Sequence, residues 1–330
     1  MVALVALAPG LAACVRLCQT RRGMDFELRS LRGVGVDALT RLAEDIFGRG
    51  DRAPGWFARK LAREGVDLDL SVLAVAAGAP GHVPQDMLLG YFLIGQEVGD
   101  ALAHSAGLGV IAARRGGGLG RALVDAAAAR LASRGCQALR VLAEPEREGF
   151  YARLGLRVSA RRLTLLAHGT GSISQAHLDR ELADHAKQPW SPAPTPSDAL
   201  EVCAWRAGAW ARTPPADAAT LEPMPGVWAH VSREGRALLV QRLLVAPAVD
   251  PLAAVAALLA RTPTSMPLLL YGLDPVSSIT AALLHRDLVD VDGDPHTPVQ
   301  HRREFHVAQR FAAMDLPLVR RLDNVRGRDG

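Results

Sequence analysis

Residues Leu108–Gly120 read LGVIAARRGGGLG: an apolar run of strand character, two arginines, and four glycines within the last five residues. A helix pattern follows, because Leu119, Leu123, Ala127 and Leu131 form one apolar stripe that stops near Gly135. A glycine-rich turn leading from a strand into a helix brings unpaired N–H groups and the positive end of the helix dipole to one place. Glycines also permit positive φ and let a ligand's oxygens come close to the backbone. The stretch therefore reads as a site for a phosphate or diphosphate, with Arg114, Arg115 and Arg121 able to add charge-assisted bonds.

Upstream of the glycines, the chain from Met24 alternates strand and helix patterns, which specifies an α/β or α+β layer fold. Strands are expected at Phe26–Leu31, Ser71–Ala77, Met87–Gln96 and Leu102–Ala112, and helices at Val36–Phe47 and Ala58–Glu64. The first helix presents Leu39, Leu42, Ala43 and Ile46 on one face. Three consecutive strands with no helix between them imply an antiparallel meander. Downstream, a strand at Ala138–Ala143, a short helix around Phe150–Leu154 and a strand at Leu156–Leu166 complete the first unit.

Which phosphate ligand the turn suits follows from what is missing. A dinucleotide fingerprint would need glycine where Arg121 stands, and no Gly-Lys-Ser/Thr is present for a nucleotide triphosphate. Leu108-x-Val110 followed by Arg115-Gly116-Gly117-Gly118-Leu119-Gly120 resembles the acyl-CoA loop of the GNAT superfamily of N-acyltransferases, with Ala112 in place of the usual proline. A second segment, GFYARLGLRV at Gly149–Val158, is similar to that family's closing FYxxLGF, with Leu156 where phenylalanine is common.

The resemblance covers Met24–Leu166 and implies a GNAT-like twisted mixed sheet flanked by helices. In it the fourth and fifth strands, Leu102–Ala112 and Ala138–Ala143, splay to admit the pantetheine arm. Gly107 and Gly109 within the fourth strand suit a bulge or a close backbone approach. Acetyl-CoA or another acyl-CoA is the implied co-substrate, with no metal, and residues 108, 110 and 115–121 form its implied site. The resemblance makes Tyr151 the acid that meets the leaving thiolate, a task suited to a phenol; packing beside Phe150 is the alternative use of that ring. Glu144, at the end of the fifth strand, and His104, in the fourth, are the candidate bases. The segment AEPEREGF lacks the asparagine often found before the family's tyrosine.

The 330 residues, 49% hydrophobic and 22% charged, can bury two ordinary cores. A net charge of +4 without a dense basic block suits a small anionic ligand and gives no sign of nucleic-acid binding. Cys14, Cys18, Cys136 and Cys203 carry no metal-ligand spacing beyond one Cys-x3-Cys, so a reducing cytoplasm is the expected compartment. The opening MVALVALAPGLAACVRLCQTRRG is apolar, but Pro9, Gly10 and Arg16 interrupt it, and neither a membrane span nor a signal peptide is expected. Its LAAC resembles a lipoprotein cleavage box without the basic residues that precede one.

The expected organisation is an extension at 1–23, an acyl-CoA-binding catalytic domain at 24–167, a proline-rich linker at 168–197 and a second, degenerate GNAT-like domain at 198–330. The second half repeats the order of the first: strands at Gly226–Val231 and Arg236–Ala246, a helix at Pro251–Arg261, a strand at Met266–Leu273 and a helix at Val276–Leu284. After its equivalent strand it reads LLVAPAVDPLAAV, with no glycine and with Asp250 placed to repel an anion, so it is not expected to bind CoA. It could complete the fold, cover the acceptor cleft or form a homodimer. Trp205, Trp210 and Trp228 are candidates for an acceptor pocket or for core packing.

The leading expectation is an N-acyltransferase acting on an amine of a small molecule or peptide. The alternatives are a noncatalytic CoA-binding regulator and a nucleotide-binding oxidoreductase.

Overall fold

The computed structural model describes residues 26–318 apart from 49, 51–53, 97–100, 172–173, 175, 179, 181–183, 185–197, 205–211, 213–217, 235–236 and 286–305. The expected extension at 1–23, Cys14, Cys18, Trp205, Trp210 and two thirds of the expected linker at 168–197 lie outside the described residues.

The first half opens with β1 (Phe26–Ser30), α1 (Val36–Phe47), α2 (Trp56–Arg63) and β2 (Val72–Ala76). β3 (Leu88–Gln96), β4 (Leu102–Val110), α3 (Leu119–Ser133), β5 (Ala138–Ala143), α4 (Pro145–Ala152) and β6 (Arg157–His168) follow. β2, β3 and β4 are the expected antiparallel meander, with β1 on its edge. α1 buries Leu39, Leu42, Ala43 and Ile46, as its spacing dictates.

The second half contributes β7 (Leu200–Ala204), β8 (Ala218–Leu221), β9 (Val227–Glu234), β10 (Ala237–Val245), α5 (Pro251–Ala260), β11 (Pro267–Leu273), α6 (Ser278–His285) and β12 (His306–Pro317). β7, β8 and β12 were not anticipated from sequence. α4 also departs from expectation, starting at Pro145 and ending at Ala152. Proline at the first helical position loses no hydrogen bond and has its φ already set for a helix.

All twelve strands join one sheet in the order β1-β2-β3-β4-β5-β12-β6-β11-β10-β9-β8, with β7 paired to β10 off that path. The parallel neighbours are β4 with β5 and β10 with β11. The two halves exchange strands. β12 lies between β5 and β6, antiparallel to both, while β6 also pairs antiparallel with β11 of the second half. A bidentate contact from Arg140 on β5 to Asp315 on β12, at 2.8 and 2.9 Å, secures the first of these joins.

Hydrophobic residues cover both faces of the first half's sheet. On one face α3 and α4 pack over β2–β5, and Met314, Leu316 and Leu318 from the end of the chain enter that same core. On the other face α1 and α2 pack around Leu73, Tyr91, Leu93 and Ala106. A separate core holds α5, β6 and β8–β11.

Candidate active site

β4 follows β3 from Ala103 to Val110 but is parallel-paired with β5 only at Leu102, Ala103 and His104. Beyond His104 the strands part, and the β5-facing edge of residues 105–110 pairs with no strand among the described residues. Two features shape that edge. The β3 register skips Ala106, and Gly107 has φ +146 with its N–H donated to Ser105 Oγ, so the strand is bulged where it leaves β5. Two residues on, Gly109 admits α1: a Cβ there would lie 3.0 Å from Ile46 Cδ1 and 3.2 Å from Phe47 Cε2.

Residues 111–118 then turn from β4 into α3. Gly116 and Gly118 have φ of +79 and +88, the left-handed region that glycine enters without strain. At either position a Cβ would meet nothing within 4 Å, so the space over the turn is open. Gly118 is the N-cap of α3 and has no side chain to cap it, the first turn carries no acid, and Ala122 makes a helical bond back to Gly118 O. The amides of Leu119, Gly120 and Arg121 precede that bond and so point outward without helical acceptors. This donor set fits an anion.

The arginines divide their work. Arg115 Nε donates to Val110 O at 3.0 Å and its Nη2 to Ile46 O at 3.2 Å, fastening the turn to the ends of β4 and α1. Arg121 Nη2 donates to Arg153 O at 3.1 Å, tying α3 to the end of α4. Half-buried Arg114 makes no side-chain hydrogen bond or ion pair among the described residues. Leu108 and Val110 are half-buried and pack against the α3-side core.

The two sequence motifs meet physically at Gly120, where a Cβ would lie 3.3 Å from Phe150 Cζ. Phe150 in turn stacks edge-on against Tyr151, with centroids 5.0 Å apart at 72°. Tyr151 is buried, and burial is the main cause raising its pKa to about 12; nearby Glu144 also raises it, and Arg147 opposes. Its phenol therefore keeps its proton throughout the physiological range. Glu144 follows β5 directly as the N-cap of α4, exposed and without a side-chain cap bond.

His104 lies on the other face of the sheet. Its Nε2 is 2.9 Å from the backbone O of Glu64, at the C-cap of α2, and 3.9 Å from that residue's Oε2. A carbonyl partner requires an N–H, so Nε2 carries a proton. This approach requires glycine at 95, where a Cβ would sit 2.1 Å from Glu64 O and 2.3 Å from His104 Nε2. The structure thus groups the glycine turn, Phe150 and Tyr151 on the α3 face, Glu144 at the end of β5, and His104 on the α2 face where β4 and β5 begin to part.

Sequence reasoning missed Glu64, fully buried despite its charge. In ARKLAREG it looks like any acid near a helix end, and only the docking of α2 on Gly95 distinguishes it. Lys60 was also missed; its Cε lies 4.0 Å from where a Gly107 Cβ would be.

A mixed sheet with a bulged fourth strand, a splayed fifth and an uncapped glycine turn before the next helix is the arrangement of a GNAT-like fold. Residues 55–156 match the model of the Acetyltransferase (GNAT) family. An acetyltransferase-class protein from Pyrococcus horikoshii aligns over 91% of this chain and 92% of its own, at 14% identity and a TM-score of 0.54. A tandem GNAT protein from the clavulanic acid biosynthesis pathway, solved without acetyl-CoA, aligns over 89% of this chain and 99% of its own, at 15% identity and a TM-score of 0.50. The chain therefore has the tandem GNAT fold. No curated protein matches it in sequence.

Among the described residues no group of three or more His, Cys, Asp or Glu could hold a metal ion, and no helix is long and apolar enough to cross a membrane.

Proposed function

We propose that the protein is an N-acyltransferase that moves an acyl group, acetyl first among them, from acyl-CoA to the amine of a small molecule or peptide. The observation that carries this reading is the unpaired edge of β4 leading directly into an uncapped glycine turn at the N-terminus of α3. The diphosphate accepts from the amides around Gly116–Arg121, with Arg114 as the available cation, while Arg115 and Arg121 hold the turn in shape. The pantetheine arm, an extended chain with two amide groups, runs along residues 105–110 as an added strand would.

The amine must arrive without its extra proton to attack the thioester carbonyl. His104 is the base assigned to take that proton, directly or through water, with its Nε2–H to Glu64 O fixing the orientation of the ring. Collapse of the tetrahedral intermediate expels a thiolate. With a pKa of about 12, Tyr151 lies well above a reference thiol at about 8.5, so it stabilises the departing sulfur by a hydrogen bond and does not protonate it outright. Glu144, exposed between β5 and α4, is assigned the role of meeting an incoming ammonium.

The test is consumption of acetyl-CoA and longer thioesters by purified protein against amino acids, polyamines, aminoglycosides and peptides. Turnover with at least one amine, lowered about 10²-fold or more in Tyr151→Phe while CoA affinity is retained, is the expected result. CoA binding with no turnover on any amine would favour a regulator.

A further inference from the structure

The second half contains its own version of the cleft, and the chain itself fills it. β4 and β10 are both nine residues long, and each carries its irregularity at the fifth position, Ala106 in β4 and Gln241 in β10. Each pairs along one edge with the preceding strand, β3 or β9. On the other edge each has only a three-residue parallel pairing with the following strand: residues 102–104 with β5, and residues 238–240 with β11. β10 and β11 then diverge as β4 and β5 do, and α5 follows β10 as α3 follows β4.

At this point the halves differ. A strand has two edges, and from residue 242 the edge of β10 not taken by β9 is occupied by β7. Arg242, Leu243, Leu244 and Val245 pair antiparallel with Ala204, Cys203, Glu201 and Leu200, and β7 also lies against β11. Val202 of β7 is buried in the same core as Leu243, Val245, Leu268 and Leu270. The Glu201 carboxylate accepts from the Arg242 guanidinium. β7 thus sits in the wedge between the diverging strands, bonded to the backbone that is unpaired in the first half.

The phosphate end of this second cleft is closed as well. The connection to α5 spans only residues 246–250. Pro251, the first helical residue, has no N–H, and Asp250 Oδ1 accepts from Leu252 N at 3.2 Å. Of the three amides that would face an anion, that of Pro251 is absent and that of Leu252 is already bonded to a carboxylate, whose charge opposes a second anion.

We propose that β7 is a built-in surrogate for the pantetheine arm: an extended peptide of this chain occupies the second half's carrier cleft, and the protein takes one acyl carrier per chain. The inference rests on the proposed reading of the first cleft. Backbone amides can replace pantetheine here because both present extended N–H and C=O groups to the same strand edge. The surrogate keeps that edge of β10 paired and so removes an exposed strand edge from a half that takes no ligand.

The test counts carriers on the intact chain by native mass spectrometry with acetyl-CoA and follows backbone amide exchange with and without it. One carrier per chain is expected. Amides of residues 200–204 and 242–245 should exchange slowly in the free protein and be unchanged by acetyl-CoA, while those of 105–110 slow when it is added. Two carriers per chain, fast exchange at 242–245 in the free protein, or protection gained there on adding acetyl-CoA overturns the surrogate. If no carrier binds and 105–110 do not respond, the acyltransferase reading fails, and slow exchange at 242–245 still supports occupancy by β7.

Discussion

Removing residues 306–330 deletes β12, and with it the strand that joins β5 to β6 in the first half. The loss is large because the segment also supplies core. Met314, Leu316 and Leu318 are 2%, 3% and 1% exposed and pack with α3, β5 and α4. At about 1.5–3 kcal/mol for each buried side chain, they account for roughly 5–9 kcal/mol. The pairings to β5 and β6 and the Arg140–Asp315 contact are lost in addition. Domains of ordinary stability hold only about 5–15 kcal/mol in total, so the first half should unfold although the match to the family model ends at residue 156. The assay is urea unfolding of the truncated chain by circular dichroism, alongside Leu316→Ala in the full chain, which should cost about 2–5 kcal/mol. A truncated chain that retains the full unfolding midpoint and binds acetyl-CoA as the intact chain does would refute the strand exchange.

Further outcomes follow from individual side chains. Arg115→Ala releases the turn from Val110 O and Ile46 O, and calorimetry should show acetyl-CoA affinity falling about tenfold or more with little change in melting temperature. Gly95→Ala should displace α2 or His104; the expected signature is a fall in kcat larger than any rise in KM for CoA, with an altered acid limb in the pH profile. His230 on β9, bonded through Nδ1 to Thr220 Oγ1 at 2.8 Å, has its pKa lowered to about 4, chiefly by burial and secondarily by Arg242. A histidine depressed in the folded state stabilises the fold above its unfolded value near 6.5 and loses that contribution as pH falls towards 4. About 3 kcal/mol should disappear across this window, and His230→Leu should flatten the slope of melting temperature against pH there.

What could be read from sequence and what could not divides along locality. The glycine turn between β4 and α3 was legible because four glycines separate an apolar run from an apolar stripe, and the positive φ of Gly116 and Gly118 is one that glycine enters without strain. α1 and α3 were legible from period alone. The start of α4 was obscured because Glu144-Pro145 reads equally as a turn or as an N-cap followed by a first-turn proline. β12 was illegible for a different reason. Its partners are more than a hundred residues away in sequence, and a strand between two others shows only that it is apolar, not whose sheet it enters. β7 and β8 are four or five residues long, too short to show a period. Among site residues, the local rule that places arginines near phosphate did not foresee that Arg115 and Arg121 bond to backbone carbonyls, and Glu64 showed no signal at all.

The amides at the start of α3 are the groups proposed to hold a diphosphate. Calorimetric titration of the intact protein with CoA and with pantetheine, which keeps the arm and lacks the diphosphate, tests that role most directly. Two or more charge-assisted bonds at about 1.5–3 kcal/mol each predict that CoA binds at least about a hundredfold more tightly than pantetheine. Replacing Gly118 by valine, strained at φ +88, should erase most of that difference. Equal affinities for the two ligands, or a preference for CoA that survives Gly118→Val undiminished, would show that these amides do not hold the diphosphate.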